Sequence, residues 1–271
     1  MKRLSGGAVF LAMAFIAPAR ADLWLGNDAG GDVFRTTNSG GVVTDLPGLP
    51  VTGIASDGSS LYFADRVGNF TKRTADGSTI LDSFTVASGD TGEDLAWDTN
   101  RDVLWRIVHT NVLQQINPAT HSLVNSFNIP TADPILGTLG GLGVAYDGTR
   151  DELYVSFCSV GCSSLAAGLV DIVDPSTGLV SGTLFRTSGF ATGGLGYDPS
   201  TDSLWVGDET IVRNMSRAGG VLSSFNRPQP GGFVDGLEFV PAVPEPSFYF
   251  LVLLGLAFII AAHRQAARPV R

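Results

Sequence analysis

Glu93 and Asp94 stand side by side in TGEDLAW, and Asp235 stands in VDGLEF, each just ahead of an apolar run. Three carboxylates brought to one place would hold a hard cation such as calcium through oxygen ligands. They are the candidate metal-ligating residues, although the comparable stretches LGGLG and TGGLG carry glycine where further polar ligands would be wanted. Imidazole is scarce. His109 lies in LWRIVHTN and His121 in a turn, and neither has a G-x-S-x-G elbow near it. A Ser-His-acid arrangement needs that proximity, so no catalytic residue is assigned. There is no phosphate loop, CxxC array or H-E-x-x-H, the patterns that would cradle a phosphate or hold a zinc. GTLGGLGVAYDG leads into a strand, which offers no helix terminus for a dinucleotide phosphate. Cys158 and Cys162 form a C-x3-C pair. Two thiols without nearby histidines make a poor zinc site. In a chain folding outside the cytoplasm they predict a small local disulfide, with free thiols as the alternative.

The elements that must position these groups repeat. GIASDGSSLYFAD, DLAWDTNRDVLWRIV, GVAYDGTRDELYVSF and GLGYDPSTDSLWVGD share an apolar strand, an Asp-containing turn, and a second strand with Leu followed by an aromatic residue. Asp57, Asp98, Asp147 and Asp198 sit where a hairpin turn needs a side chain that bonds its own backbone. Each pair is followed by two more alternating strands, as in LVDIVDPSTGLVSGTLF. Ile54, Leu95, Val144, Leu195 and Leu237 are separated by 41, 49, 51 and 42 residues, the length of a propeller blade. The sequence thus predicts an all-β, five-bladed β-propeller over 22–240. Six blades are the alternative if one long unit hides another. VDGLEFV at 234–240 is left without partners at one end, and three strands at the start lack a fourth. The last strand is expected to complete the first blade, removing exposed sheet edges.

These units resemble NHL, YVTN and lactonase-type propellers, whose blades often pair an Asp-turn hairpin with a turn like Asp174-Pro175-Ser176-Thr177-Gly178. GEDLAWD also resembles the Glu-containing motif of gluconolactonase-like propellers. That resemblance implies a metal-dependent, lactonase-like hydrolase as one function, using Glu93, Asp94 and Asp235.

The two ends differ from the domain. Lys2 and Arg3 precede an apolar run from Ala8 to Ala17, and Ala19-Arg20-Ala21 follows. This is the pattern of a secretory signal peptide over 1–21. The stretch from Ser247 to Ala262 has no charge. At about 1.5 Å per residue it falls just short of a hydrocarbon core about 30 Å thick. Arg264, Arg268 and Arg271 follow it, which places the tail in the cytoplasm and the domain outside. Val243-Pro244-Glu245-Pro246, the apolar run and the arginines together resemble the PEP-CTERM sorting signal of Gram-negative bacteria, here over 241–271. That resemblance implies an exosortase as processing partner, transient anchoring in the inner membrane, and release to the cell surface or an exopolysaccharide matrix.

Six of the 17 basic residues and none of the 26 acidic ones lie outside 22–246, so that segment carries a net charge of −15. Such a surface repels nucleic acid. The expectation is a surface or matrix binding module with a polysaccharide or another surface protein as partner. The alternatives are the lactonase-like hydrolase and a purely structural matrix component.

Overall fold

Every blade is an antiparallel meander in which the first strand is buried on both faces and the last is exposed. In the computed structural model, which describes residues 21–27, 31–87, 91–129, 132–159, 167–229, 232–241 and 255–256, the chain opens with β1 (Asp22–Asn27), β2 (Asp32–Thr37) and β3 (Val42–Pro47). The second blade is β4 (Gly53–Ser56), β5 (Ser60–Ala64), β6 (Asn69–Thr74) and β7 (Ile80–Thr85). The third is β8 (Gly92–Asp98), β9 (Val103–Val108), β10 (Val112–Asn117) and β11 (Ser122–Asn128). The fourth adds a short strand, β12 (Ala132–Asp133), to β13 (Gly137–Asp147), β14 (Glu152–Ser159), β15 (Gly168–Val173) and β16 (Val180–Arg186). The fifth is β17 (Leu195–Asp198), β18 (Ser203–Gly207), β19 (Ile211–Ser216) and β20 (Val221–Asn226).

The last strand, β21 (Gly236–Val240), pairs antiparallel with β1, from Asp22 opposite Val240 to Gly26 opposite Gly236. The first blade is therefore built from both ends of the domain, in the order β21-β1-β2-β3, and the ring has five blades. Its core lies between blades. Leu95 and Leu104 of blade 3 pack with Ala55 and Tyr62 of blade 2, and Leu23, Leu25 and Leu237 of blade 1 pack with Trp205 of blade 5. The compact unit spans Ala21–Pro241 and holds all of these clusters, so it has the core of an independently folding domain. A second unit comprises 1–20 and 242–271; only Gly255 and Leu256 in it are described. The signal peptide's residues 1–20, the motif Val243-Pro244-Glu245-Pro246 and Arg264, Arg268 and Arg271 lie outside the described residues, as does 247–262 apart from those two. Among the described residues no helix is long and apolar enough to cross a membrane.

The repeated turn has a mechanism. Asp98 Oδ1 accepts the amides of Asn100 and Arg101, and its Oδ2 accepts the indole N–H of Trp105 at 3.0 Å. Asp147 does the same for Thr149, Arg150 and the Tyr154 hydroxyl, and Asp57 for Ser59, Ser60 and the Tyr62 hydroxyl. In blades 2, 3 and 4 this spacing joins a turn to the polar tip of an otherwise buried aromatic residue, which needs such a partner; in blade 5 Asp198 Oδ2 accepts the Thr201 hydroxyl, and the Trp205 indole N–H has no hydrogen bond among the described residues. Asp102, Asp151 and Asp202 close these turns with φ of 54°, 57° and 51°, a region that aspartate tolerates better than most side chains. Arg101 reaches Asp151 in the next blade at 2.6 Å, and Arg150 reaches Asp202 at 2.8 Å. Thr201 stands at the corresponding place in blade 5. The next blade there is the closure blade, whose first two strands, β21 and β1, come from the two ends of the domain and have no turn between them.

Candidate functional site

Two rings of matching positions run across the inner strands, with Gly194 just ahead of β17. The first consists of Gly53, Asp94, Gly143, Gly194 and Gly236, and the second of Ala55, Ala96, Ala145, Gly196 and Glu238. Four small residues and one acid occur in each. The small residues are required by proximity: a Cβ on Gly143 would lie 2.3 Å from the Gly193 carbonyl, and one on Gly194 2.5 Å from that of Asp235. At these glycines the inner strands approach too closely to admit a side chain.

Asp94 enters the first ring through a bulge. Gly92 pairs with Val108 and Leu95 with Arg106, so Glu93 and Asp94 together oppose one residue of β9. Such a bulge re-aims a side chain. The Asp94 carboxyl is fully buried and accepts backbone amides from four inner strands: Leu95 at 2.8 Å, Leu195 at 2.9 Å, Val144 at 3.3 Å and Leu237 at 3.4 Å. Burial drives its pKa well above the usual carboxylate range, the amides of Leu195, Leu95 and Val144 pull it back, and the charge of Glu238 raises it further.

The other two expected ligands go elsewhere. Glu93 is buried with Oε1 3.5 Å from His109 Nδ1. Asp235, also buried, lies in the field of Arg227, a guanidinium whose pKa is lowered by burial and partly restored by Asp235, Asp208 and Glu209. Among the described residues no group of three or more His, Cys, Asp or Glu side chains is placed to hold a metal ion. Of the three acids expected to hold calcium, Asp94 thus turns its oxygens to amide N–H donors, Glu93 meets His109, and Asp235 lies in the field of Arg227. His121 is a surface residue 2.8 Å from Asp82, stacked on Phe84. Cys158 is disulfide-bonded and no described cysteine is free; Cys162 lies outside the described residues.

A functional residue that sequence reasoning passed over is Glu238. It lies at the base of a funnel of about 360 Å³ at the end of the axis where the inner strands finish. The inner strands end around it with Ser56, Trp97, Tyr146, Tyr197 and Phe239, and Thr99 and Thr149 come from the turns above. Trp97 stacks on Tyr62 with ring centroids 5.5 Å apart, while the hydroxyls of Tyr146 and Tyr197 are fixed on Asp151 and Asp202. Glu238 Oε1 accepts the Ser56 amide at 3.0 Å; Oε2 takes no hydrogen bond among the described residues. Burial raises its pKa to about 8 against the pull of that amide. The signal was in the sequence as GLEF where the other units have GIAS, DLAW, GVAY and GLGY: one acid at a position otherwise Ala or Gly.

Fold and site define a closed five-bladed β-propeller with an aromatic, carboxyl-floored funnel on its axis. No family profile and no curated protein matches the chain. Solved structures do. A chain of a nidogen/laminin complex is similar over 83% of this chain and 100% of its own, with 11% identity and a TM-score of 0.54. The Myxococcus xanthus glutaminyl cyclase aligns over 70% of this chain and 93% of its own, with 17% identity and a TM-score of 0.47. The Myceliophteria thermophila Cps50 (Swd1) β-propeller domain aligns over 78% and 74%, with 12% identity and a TM-score of 0.46. At these identities the likeness concerns the fold alone.

Proposed function

We propose that this chain is an exported binding module, sorted through its C-terminal tail to the cell surface or extracellular matrix of a Gram-negative bacterium. The observation that carries the binding role is the funnel, a concave, largely aromatic seat with one polar group at its base, of the kind that holds small ligands or the tip of a larger one. The disulfide at Cys158 supports folding in an oxidising compartment. The sorting role rests on the order of Pro244-Glu245-Pro246, the uncharged run and Arg264, Arg268 and Arg271, opposite an N-terminal signal peptide. An exosortase is the processing partner, and the inner membrane the transient anchor.

Intact-mass measurement of exported protein tests the sorting role. The mature chain should begin at Asp22 and lack HRQAARPVR; retention of that peptide in released protein defeats the reading. Replacing Pro244, Glu245 and Pro246 together with alanine should leave the protein in the inner-membrane fraction of a host that has an exosortase. Retention of residues 21–241 on the host's exopolysaccharide, without turnover of it, tests the binding role.

A further inference from the structure

The funnel brings three features together. Four inner strands place Ala or Gly in the second axial ring, as close packing demands, yet β21 places Glu238 there. Its half-buried carboxyl gives Oε1 to the Ser56 amide, and Oε2 has no cationic partner among the described residues. The wall carries Trp97, Tyr146, Tyr197 and Phe239, with Thr99 and Thr149 above, and no Lys or Arg. A group that satisfied all of this would bring a positive charge for Glu238, an apolar ring face for the aromatic wall, and hydroxyls for the threonines.

We propose that the funnel seats an amino sugar, its ammonium group paired with Glu238 Oε2 and its pyranose ring against the aromatic wall. The reading rests on the binding role proposed above and names its ligand class. A hexosamine fits the volume of about 360 Å³. A simple amine would use the carboxyl and leave the threonines idle, and a neutral sugar would meet Glu238 only as a protonated, uncharged carboxyl. The acidic domain surface, net −15 over 22–246, favours cationic over anionic glycans.

Pairing with an ammonium must ionise Glu238, whose pKa of about 8 keeps it mostly protonated at pH 7 in the empty funnel. Binding at pH 7 should therefore release a proton, and the measured heat should differ between phosphate and Tris. The other titratable groups around Glu238 are Asp57, Tyr146 and Tyr197 on the wall and Asp94 in the ring beneath. Asp57 is already held low by Ser59, Ser60 and Lys72 against its burial, and the two tyrosines are pushed above their usual range. None of these three exchanges a proton near pH 7.

Calorimetry on residues 21–241 with glucosamine, N-acetylglucosamine, glucose and n-butylammonium decides the matter. Glucosamine should bind with Kd of about 1 mM or tighter, and each of the others at least about tenfold more weakly, a difference of about 1.4 kcal/mol. Glu238→Gln should weaken glucosamine at least about tenfold and abolish the buffer dependence. Should that variant fail to fold, ligand discrimination and buffer dependence in the unaltered protein still decide. Equal binding of N-acetylglucosamine overturns the ammonium pairing, equal binding of n-butylammonium overturns the sugar, and no binding of any overturns the site. If the protein stays on exopolysaccharide but glucosamine does not displace it, this assignment falls while the binding role stands.

Discussion

Removing the Asp94 side chain should loosen the ring at its axis. Its two oxygens accept four backbone amides, from Leu95, Val144, Leu195 and Leu237, which belong to β8, β13, β17 and β21. A buried donor left without an acceptor costs about 1–3 kcal/mol. In Asp94→Ala the bonds at 2.8 and 2.9 Å are lost in full; those at 3.3 and 3.4 Å, already weak, add less. Against this, burial opposes ionisation of Asp94, so its removal relieves some strain on the folded state. The net expectation is a loss of about 3 kcal/mol, a large part of a typical domain's stability of about 5–15 kcal/mol. At about 2–4 °C per kcal/mol for a domain of this size, the melting temperature should fall by about 6–12 °C. Asp94→Asn keeps one oxygen acceptor and should lose about half as much. Equilibrium urea unfolding of residues 21–241, followed by tryptophan fluorescence, measures both. An Asp94→Ala protein within about 0.5 kcal/mol of the parent, the range of an ordinary surface change, would refute the keystone role.

Three further expectations follow from the same geometry. Ending the chain at 233 removes the buried Val234, Leu237 and Phe239 and the partner of β1; at about 1.5–3 kcal/mol for each side chain it should unfold or aggregate, while ending at 242 should leave the melting temperature unchanged. Stability should fall as pH rises. Burial lifts the Glu238 pKa from an ordinary 4.5 to about 8 in the folded state, so its contribution is complete below about 4.5 and lost as pH climbs through 8; Asp94, also raised, acts in the same sense. Melting curves between pH 5 and 9 should therefore slope downward, and Glu238→Gln should flatten the upper part of that slope. Asp147→Ala strips two turn amides and the Tyr154 hydroxyl of their acceptor and should cost about 2–3 kcal/mol. Asp202→Ala, which removes the outer partner of Arg150 and the acceptor of the half-buried Tyr197 hydroxyl, should cost less than Asp147→Ala by the same unfolding assay.

The blade repeat was legible because it is local. A turn aspartate and an aromatic tip five or seven residues on, as in Asp98 with Trp105, form one hairpin, and sequence spacing sets their distance directly. Closure was legible for a related reason: counting strands left one spare at 234–240 and a vacancy before Asp22, and a sheet that can pair its edges gains by doing so. Length, charge and the two terminal patterns were likewise properties of the chain as written.

The axis was decided only by tertiary structure. Glu93, Asp94 and Asp235 look alike in sequence as acids ahead of inner strands, yet Asp94 meets backbone amides, Glu93 meets His109, and Asp235 lies in the field of Arg227. The glycines of LGGLG and TGGLG, read from the sequence as missing ligands, are the spacing that lets the inner strands meet. Glu238 could be seen as an odd letter at an Ala or Gly position, but its meaning depends on Trp97, Tyr146 and Tyr197, which approach it only when five blades close. Sequence determines what each blade can form through contacts within a hairpin; the axis is where residues of all five blades meet, and its chemistry depends on distances that only the closed ring sets.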